Sequence, residues 1–205
     1  MPRSKTYDRT HALSRAVGAF LATGYSATSM RELVDSMGVA PKSLYADFGS
    51  KDELFLQVID AYIAAQEAHY GTSLGSPPLG LDRIRAHFAG YELGPRFEGC
   101  LLVNSLAERA SVPAAAAPRI DAFFERVEAL YEVNLVSAKQ AGAISNDVDT
   151  AGLAQALLVF DQGLAVAGKS HSQRRRLQGA IAALLASLER GTGIGSNPPR
   201  VASAE

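Results

Sequence analysis

The sequence predicts an all-α protein, an N-terminal three-helix helix-turn-helix domain followed by a larger helical domain. Three observations predict it. Apolar residues recur at three- and four-residue spacing along most of the chain. Serine capping boxes, glycines and prolines stand where helices must begin and end. No run of alternating polar and apolar residues competes for a strand.

The elements follow in order. Leu13, Ala16, Val17, Phe20 and Leu21 mark the inner face of a first helix over about residues 8–23, with Gly24 as its left-handed stop. Ser29 and Glu32 form a capping box that opens the stripe Met30, Leu33, Val34 and Met37, and Gly38 closes it. Pro41, suited to a first helical position because it lacks an N–H, starts a third helix that runs to about Phe48. A second capping box, Ser50 with Glu53, opens a longer fourth helix with Leu54, Phe55, Val58, Ile59 and Tyr62 inward. Two short helices joined by a tight glycine turn and braced by a third helix make a helix-turn-helix.

Charge places the partner of this segment. The chain is −1 overall, but residues 1–51 hold seven basic and four acidic side chains, so the front is +3 and the remainder −4. An anionic partner is therefore expected at the front. In the third helix Leu44 and Phe48 lie four apart and pin it to the core, which leaves Lys42, Ser43, Ala46 and Asp47 outward and Tyr45 at the boundary. Lys42 and Ser43 become candidates for base edges in a DNA major groove. Tyr45, Lys51, Thr28 and Ser29, each at or beside a helix N-terminus, become candidates for phosphates. Ala40 is a poor N-cap, costing about 1 kcal/mol against serine, which leaves amides there that a phosphate can satisfy.

Residues 24–55, GYSATSMRELVDSMGVAPKSLYADFGSKDELF, resemble the DNA-binding segment of the tetracycline-repressor (TetR) family of bacterial regulators. Gly24, Thr28 or Ser29, Leu33, Gly38, Val39, Ser43, Leu44, Tyr45, Phe48, Lys51 and Leu54 carry the match. The resemblance implies an all-helical homodimer on double-stranded operator DNA, with a DNA-binding N-terminal domain and a ligand-sensing, dimerising C-terminal domain, commonly a repressor released by a small molecule. Ala40, Ala46 and Asp47 depart from the family's residues at those positions. A carboxylate at Asp47 costs affinity for DNA unless it accepts from a cytosine amino group or pairs with a neighbour.

We divide the chain into a DNA-binding domain at 1–52, a sensing and dimerising domain at 53–190, and a disordered tail at 191–205. Residues 71–80, rich in Gly, Pro and Ser, form a connector rather than a phosphate loop. Helices are expected at about 80–93, 96–111, 118–141, 150–169 and 172–190, with Pro95 and Pro118 as starters and Gly142 and Gly191 as terminators. The stripes Leu153, Leu157, Phe160, Leu164 and Ile181, Leu184, Leu185, Leu188 are expected to pair with their two-fold mates in a four-helix bundle.

The inducer is expected to be a small, largely apolar molecule held within residues 80–170. Phe88, Tyr91, Phe97, Cys100 and Asn104 are candidate lining residues. Phe124, Val127, Tyr131 and Phe160 complete the set. Asn104, inside an apolar run, needs a hydrogen-bond partner, with a neighbouring backbone preferred. Cys100 offers an alternative trigger, since Arg96 four residues earlier and the helix N-terminus lower a thiol pKa while Glu98 opposes them. Gly99, Cys100, Leu101, Asn104 and Glu108 resemble a TetR subgroup that includes electrophile and oxidant sensors. A constitutive DNA-binding protein with a filled core is the other alternative.

The sequence argues against catalysis. The four histidines, His11, His69, His87 and His171, show no metal-ligand spacing, and no nucleophile elbow or phosphate loop is present, so neither a metal nor a cofactor is expected. One cysteine fits a reducing compartment. No apolar run approaches the ~18 residues of a membrane span and the N-terminus lacks a secretory stretch, so a cytoplasmic protein away from membranes is expected.

Overall fold

The computed structural model describes residues 7–91 and 97–189, and among these it contains nine helices and no strand. They are α1 (Arg9–Ala27), α2 (Met30–Met37), α3 (Pro41–Phe48), α4 (Lys51–Ser73), α5 (Leu81–Ala89), α6 (Leu101–Ala107), α7 (Ala116–Gln140), α8 (Thr150–Ala167) and α9 (His171–Glu189). Pro95, Arg96, Gly191 and the tail 191–205 lie outside the described residues.

The capping residues act as their spacing predicts. Ser29 and Ser50 each accept from the amide three residues on, while Glu32 and Glu53 accept from the two serine amides. Gly38 ends α2 in the left-handed conformation, at φ 67° and ψ 32°. Gly24 is also left-handed in φ, at 81°, but it kinks the helix rather than ending it, and one further turn continues to Ala27.

The head packs α1 over α2 and α4, with Phe20, Leu33, Leu44, Leu54 and Phe55 wholly buried. Leu44 and Phe48 fix α3 through its inner face. Behind the head, α7 lies along α8 and α4, α5 rests on α7 and α9, and α6 runs between α1 and α8. Helix α4 belongs to both regions. Asn134, wholly buried on α7, fastens the α4–α5 connector by donating to Leu74 O (2.9 Å) and accepting from Gly80 N (2.9 Å).

Several boundaries differ from expectation, and α5, expected over 80–93, ends at Ala89 with Gly90 as its C-cap. The helix expected at 96–111 spans only Leu101–Ala107, and Gly99, at φ 88°, precedes its N-cap Cys100. Cys100 therefore sits at the helix start rather than one turn inside it. Pro118 is the third residue of α7, whose N-cap is Ala115. In addition, α8 is 18 residues long with mean hydropathy 1.3, as long and apolar as a membrane span, contrary to the reading of the sequence. Its inner face closes the core against α6 and α7, and Asp161 interrupts it.

Candidate nucleic-acid interface and cavity

The outer surface of the head is built on helix ends. Lys42, Tyr45 and Ala46 are exposed on α3, Tyr45 by 56%, and Ser43 is half-buried. No side chain caps the first turn of α3, whose N-cap is Ala40. Asp47, the carboxylate that would oppose phosphates, instead accepts from the Tyr7 hydroxyl, and burial together with that bond pushes Tyr7 up to about 12. The Arg9 guanidinium lies 4.9 Å from the Phe48 ring centroid, beside the same helix.

Lys51 opens α4 with its ammonium 4.3 Å from the centroid of Tyr25, a cation–π contact that holds the side chain in place. Tyr25 is itself fixed by Phe55, 4.7 Å away in a T-shaped arrangement, and by donating to Asp52. Ser29 is exposed at the start of α2, its oxygen accepting from Glu32 N at 3.2 Å. Thr28 differs from the expectation. It is 1% exposed, donating to Gly24 O and 2.7 Å from the Thr23 hydroxyl, so its side chain holds the α1 kink rather than facing outward.

A second site lies in the body. A partly open cavity of about 540 Å³ is walled on the α4 side by Tyr62, Gln66 and Tyr70, and on the other by Tyr91, Phe97, Cys100, Phe123 and Phe124. Its size is that of pockets for drug-sized molecules. At one end Asp161, 4% exposed, accepts from Tyr70 (2.5 Å) and Tyr131 (3.1 Å), and His87 Nε2 lies 3.6 Å from the same oxygen. Burial, then the Asp161 charge, pushes the Tyr70 and Tyr131 hydroxyls far up, so both stay protonated donors.

The expected lining residues divide. Tyr91, Phe97, Cys100 and Phe124 border the cavity. Phe88, Val127 and Tyr131 are core, 2% exposed or less, with Phe88 stacked on Tyr131 at 5.9 Å and Phe160 edge-on to Phe88 at 5.5 Å. Asn104 ties α6 to its surroundings, donating to Glu98 O and accepting from Lys169, both at 3.3 Å. The sequence reading missed Tyr62, Tyr70, His87 and Asp161. Asp161 alone carried a signal, as the single charge in the apolar run of α8.

Cys100 has the opposite electrostatics from those expected. Burial pushes its thiol up, and the hydrogen bonds from the Val103 amide and Tyr62 do not offset it. Among the described residues no group of three or more acidic, His or Cys side chains is placed to hold a metal ion.

Of the stripes expected between chains, the leucines of α8 and Leu188 turn inward, while Phe160, Ile181, Leu184 and Leu185 are half-buried. Leu153, Leu157, Leu164 and Leu188 are at most 6% exposed within one chain, and Phe160, Ile181, Leu184 and Leu185 pack against its core. The outward face of α8 instead carries Ala156, Val159, Gly163 and Val166, with the two valines 65% and 57% exposed. Gly179, Ala182 and Ala183 are exposed on α9. Small residues permit close helix approach, whereas the leucines are needed where they are to fill the core.

Helix α6 joins the two sites. Its N-cap Cys100 and Val103 border the cavity, and Glu108, its C-cap, accepts from Ser26 N (2.9 Å) and Tyr25 N (3.2 Å) beyond the α1 kink. Burial raises Glu108, but those amides outweigh it and hold the carboxyl below its usual range. A β-carbon at Gly24 would stand 2.3 Å from the Glu108 carboxylate, so glycine serves both the φ and the approach.

Residues 12–58 match the family of bacterial regulatory proteins called tetR, and residues 80–184 match the tetracyclin repressor-like C-terminal domain. The chain is 29% identical over 198 residues to the uncharacterized HTH-type transcriptional regulator YezE of Bacillus subtilis, covering 92% of this chain and all of that one. It is 26% identical to the HTH-type transcriptional repressor ComR of Escherichia coli, over 85% of this chain and 86% of ComR. Among solved structures, a cysteine mutant of the regulator CifR complexed with 26-base-pair operator DNA superposes with TM-score 0.72 and 28% identity, covering 90% of this chain and 99% of CifR.

Proposed function

The chain belongs to the tetR family of bacterial regulatory proteins and is a DNA-binding transcriptional regulator, and on that premise we propose that it is a repressor released from a pseudo-palindromic operator by a small, largely apolar molecule. The observation that carries the proposal is the position of the cavity. It opens along α4 between Tyr62 and Ser73, and the N-terminus of that helix, at Lys51, belongs to the candidate DNA surface. The repressor ComR supports the direction of control and the operator-bound CifR the DNA partner, both similar along most of their length.

The exposed residues of α3 read bases, Lys42 and Ser43 first, with Ala46 beside them. Tyr45, Lys51 and Ser29 hold phosphates, as does the uncapped start of α3. A homodimer sets two such heads about 34–36 Å apart, one helical turn of DNA. The outward small-residue faces of α8 and α9 form the interface. The DNA-binding unit is residues 1–52 and the sensing unit 53–190, with α4 and α6 linking them.

An inducer acts only by its preference for one spacing of the heads, and it needs several kcal/mol of preference to empty the operator. The cavity favours this over a thiol trigger, because burial raises the Cys100 pKa and so suppresses the reactive thiolate. Footprinting the region beside the protein's own gene identifies the operator. On that fragment Lys51→Ala and Tyr45→Phe weaken binding to every sequence, and Lys42→Ala also relaxes preference at one or two base pairs. If Lys51→Ala and Tyr45→Phe leave affinity and its salt dependence unchanged, the assigned DNA face is wrong.

A further inference from the structure

The polar end of the cavity specifies the chemistry of the ligand, an inference that rests on the cavity being the inducer site. Asp161 is the single charged residue in α8, and it is 4% exposed. Both tyrosine bonds and the His87 approach converge on Oδ2, and no hydrogen bond among the described residues reaches Oδ1. His87 Nε2 is buried with no hydrogen-bond partner, while Nδ1 lies 3.1 Å from Ser73 Oγ. Asp161 and His87 both border the cavity.

No lysine or arginine among the described residues balances this carboxylate, and His87, 3.6 Å from Oδ2, does so only when protonated. Arg83, the one lysine or arginine in the cavity wall among the described residues, turns its guanidinium to the carbonyls of Pro77 (2.9 Å) and Pro78 (3.4 Å). A buried charge without a counter-charge is costly, and hydrogen bonds from two neutral phenols relieve only part of that cost. Six aromatic rings, Tyr62, Tyr70, Tyr91, Phe97, Phe123 and Phe124, line the same cavity. Aromatic faces attract cations and repel anions.

We propose that the cavity binds an organic cation, a protonated amine or amidinium on an aromatic or branched-alkyl body, with one N–H directed to Asp161 Oδ1. A second N–H meets His87 Nε2, which is an acceptor in the tautomer whose Nδ1–H donates to Ser73. The body lies against the rings of Tyr62, Tyr91, Phe97, Phe123 and Phe124. An alcohol reaches the same oxygen but leaves the charge unbalanced, and a carboxylate ligand meets repulsion.

Three probes of one shape test this on the full-length protein: 1-naphthylmethylamine, neutral 1-ethylnaphthalene and anionic 1-naphthaleneacetate. The chain has no tryptophan, so naphthalene fluorescence reports binding directly. The expected order is cation, neutral, anion, with the amine at least about tenfold tighter than the hydrocarbon. In Asp161→Asn the preference for the amine falls to within about twofold while the neutral probe binds as before. If the neutral probe binds wild type and the amine gains nothing, or if Asp161→Asn keeps the full preference, the inference is overturned and the cavity stands as a ligand site. If none of the three binds, the cavity reading falls and the inference with it. The order on wild type needs no variant, so misfolding of Asp161→Asn would not shelter the proposal.

Discussion

The head and the body place their polar groups in opposite ways. In the head they sit at helix ends and point outward: Ser29, Lys42, Tyr45 and Lys51 ride on a small core, and the start of α3 has no side-chain cap. In the body they are sealed inside, where Asp161, Tyr70, Tyr131 and His87 form one cluster at the end of the cavity. A surface that meets DNA of fixed shape needs charges on a rigid frame with little local desolvation. A pocket that must tell one small molecule from another needs polar groups already stripped of water, since those discriminate most strongly. The difference predicts that the head fails by losing its frame and the body by losing its chemistry.

The largest effect should come from the frame. Leu44 is wholly buried, and it and Phe48 are the buried residues of α3. Leu44→Ala should cost roughly 2–5 kcal/mol by the cavity it leaves. Operator binding is lost, yet the body keeps its fold, its partner and its ligand, since α3 packs chiefly on α2 and α4 and away from α5 to α9. Chemical denaturation followed with a bound naphthalene probe checks this. A single transition in which head and body unfold together at lower denaturant would break the comparison, because the two regions would then share one cooperative unit.

The head was legible in the sequence for the same reason that it is rigid. Ser29 with Glu32, Ser50 with Glu53, Gly38 and Pro41 are local signals, each satisfied by atoms within four residues, so spacing alone locates them. The body depends on long-range contacts. Tyr70 reaches Asp161 across 91 positions, and Asn134 reaches Leu74 across 60. Nothing in the periodicity of α4 or α7 announces them. The leucines of α8 and α9 illustrate a related failure, because a stripe of large apolar residues predicts burial without saying against which chain. Thr28 shows it within the head. As a hydroxyl beside a helix start it has the pattern of a phosphate ligand, and only the kink at Gly24 turns it inward.

A smaller effect should appear where the regions meet. Glu108 is half-buried, and its carboxylate serves two amides of the head, so Glu108→Gln replaces one acceptor with a donor facing an N–H. The loss should be about 1 kcal/mol, less than for a fully buried charged bond because solvent screens part of it. The carboxyl is held below its usual value in the folded protein, so its contribution is full above the unfolded pKa near about 4.3 and disappears as pH falls through the lower folded value. Wild type and Glu108→Gln should therefore differ in stability at pH 7 and converge in acid. The same substitution should reduce the shift in operator affinity that ligand produces more than it reduces affinity itself. Unchanged ligand response would remove α6 as a link and leave α4 alone.

The smallest effect is expected at the cysteine, and it separates a pocket from a switch of covalent chemistry. Cys100 borders the cavity at the start of α6, a place where a thiol could be activated by the helix N-terminus. Burial works against that activation. Desolvation raises the thiol, the Val103 and Leu102 amides and the Tyr62 hydroxyl pull it back only partly, and the Asp161 charge adds to the rise. On that direction we expect the nucleophilic thiolate to be scarce near neutral pH and the reaction with oxidants or alkylating agents to be slow. Operator release should be the same for wild type and Cys100→Ser, with and without diamide or N-ethylmaleimide, while an aromatic amine releases both proteins alike. Release of wild type alone by diamide would overturn this, since it would show that the thiol reacts from the cavity despite its burial. The sensing chemistry would then lie in the thiol rather than in the buried carboxylate across the cavity.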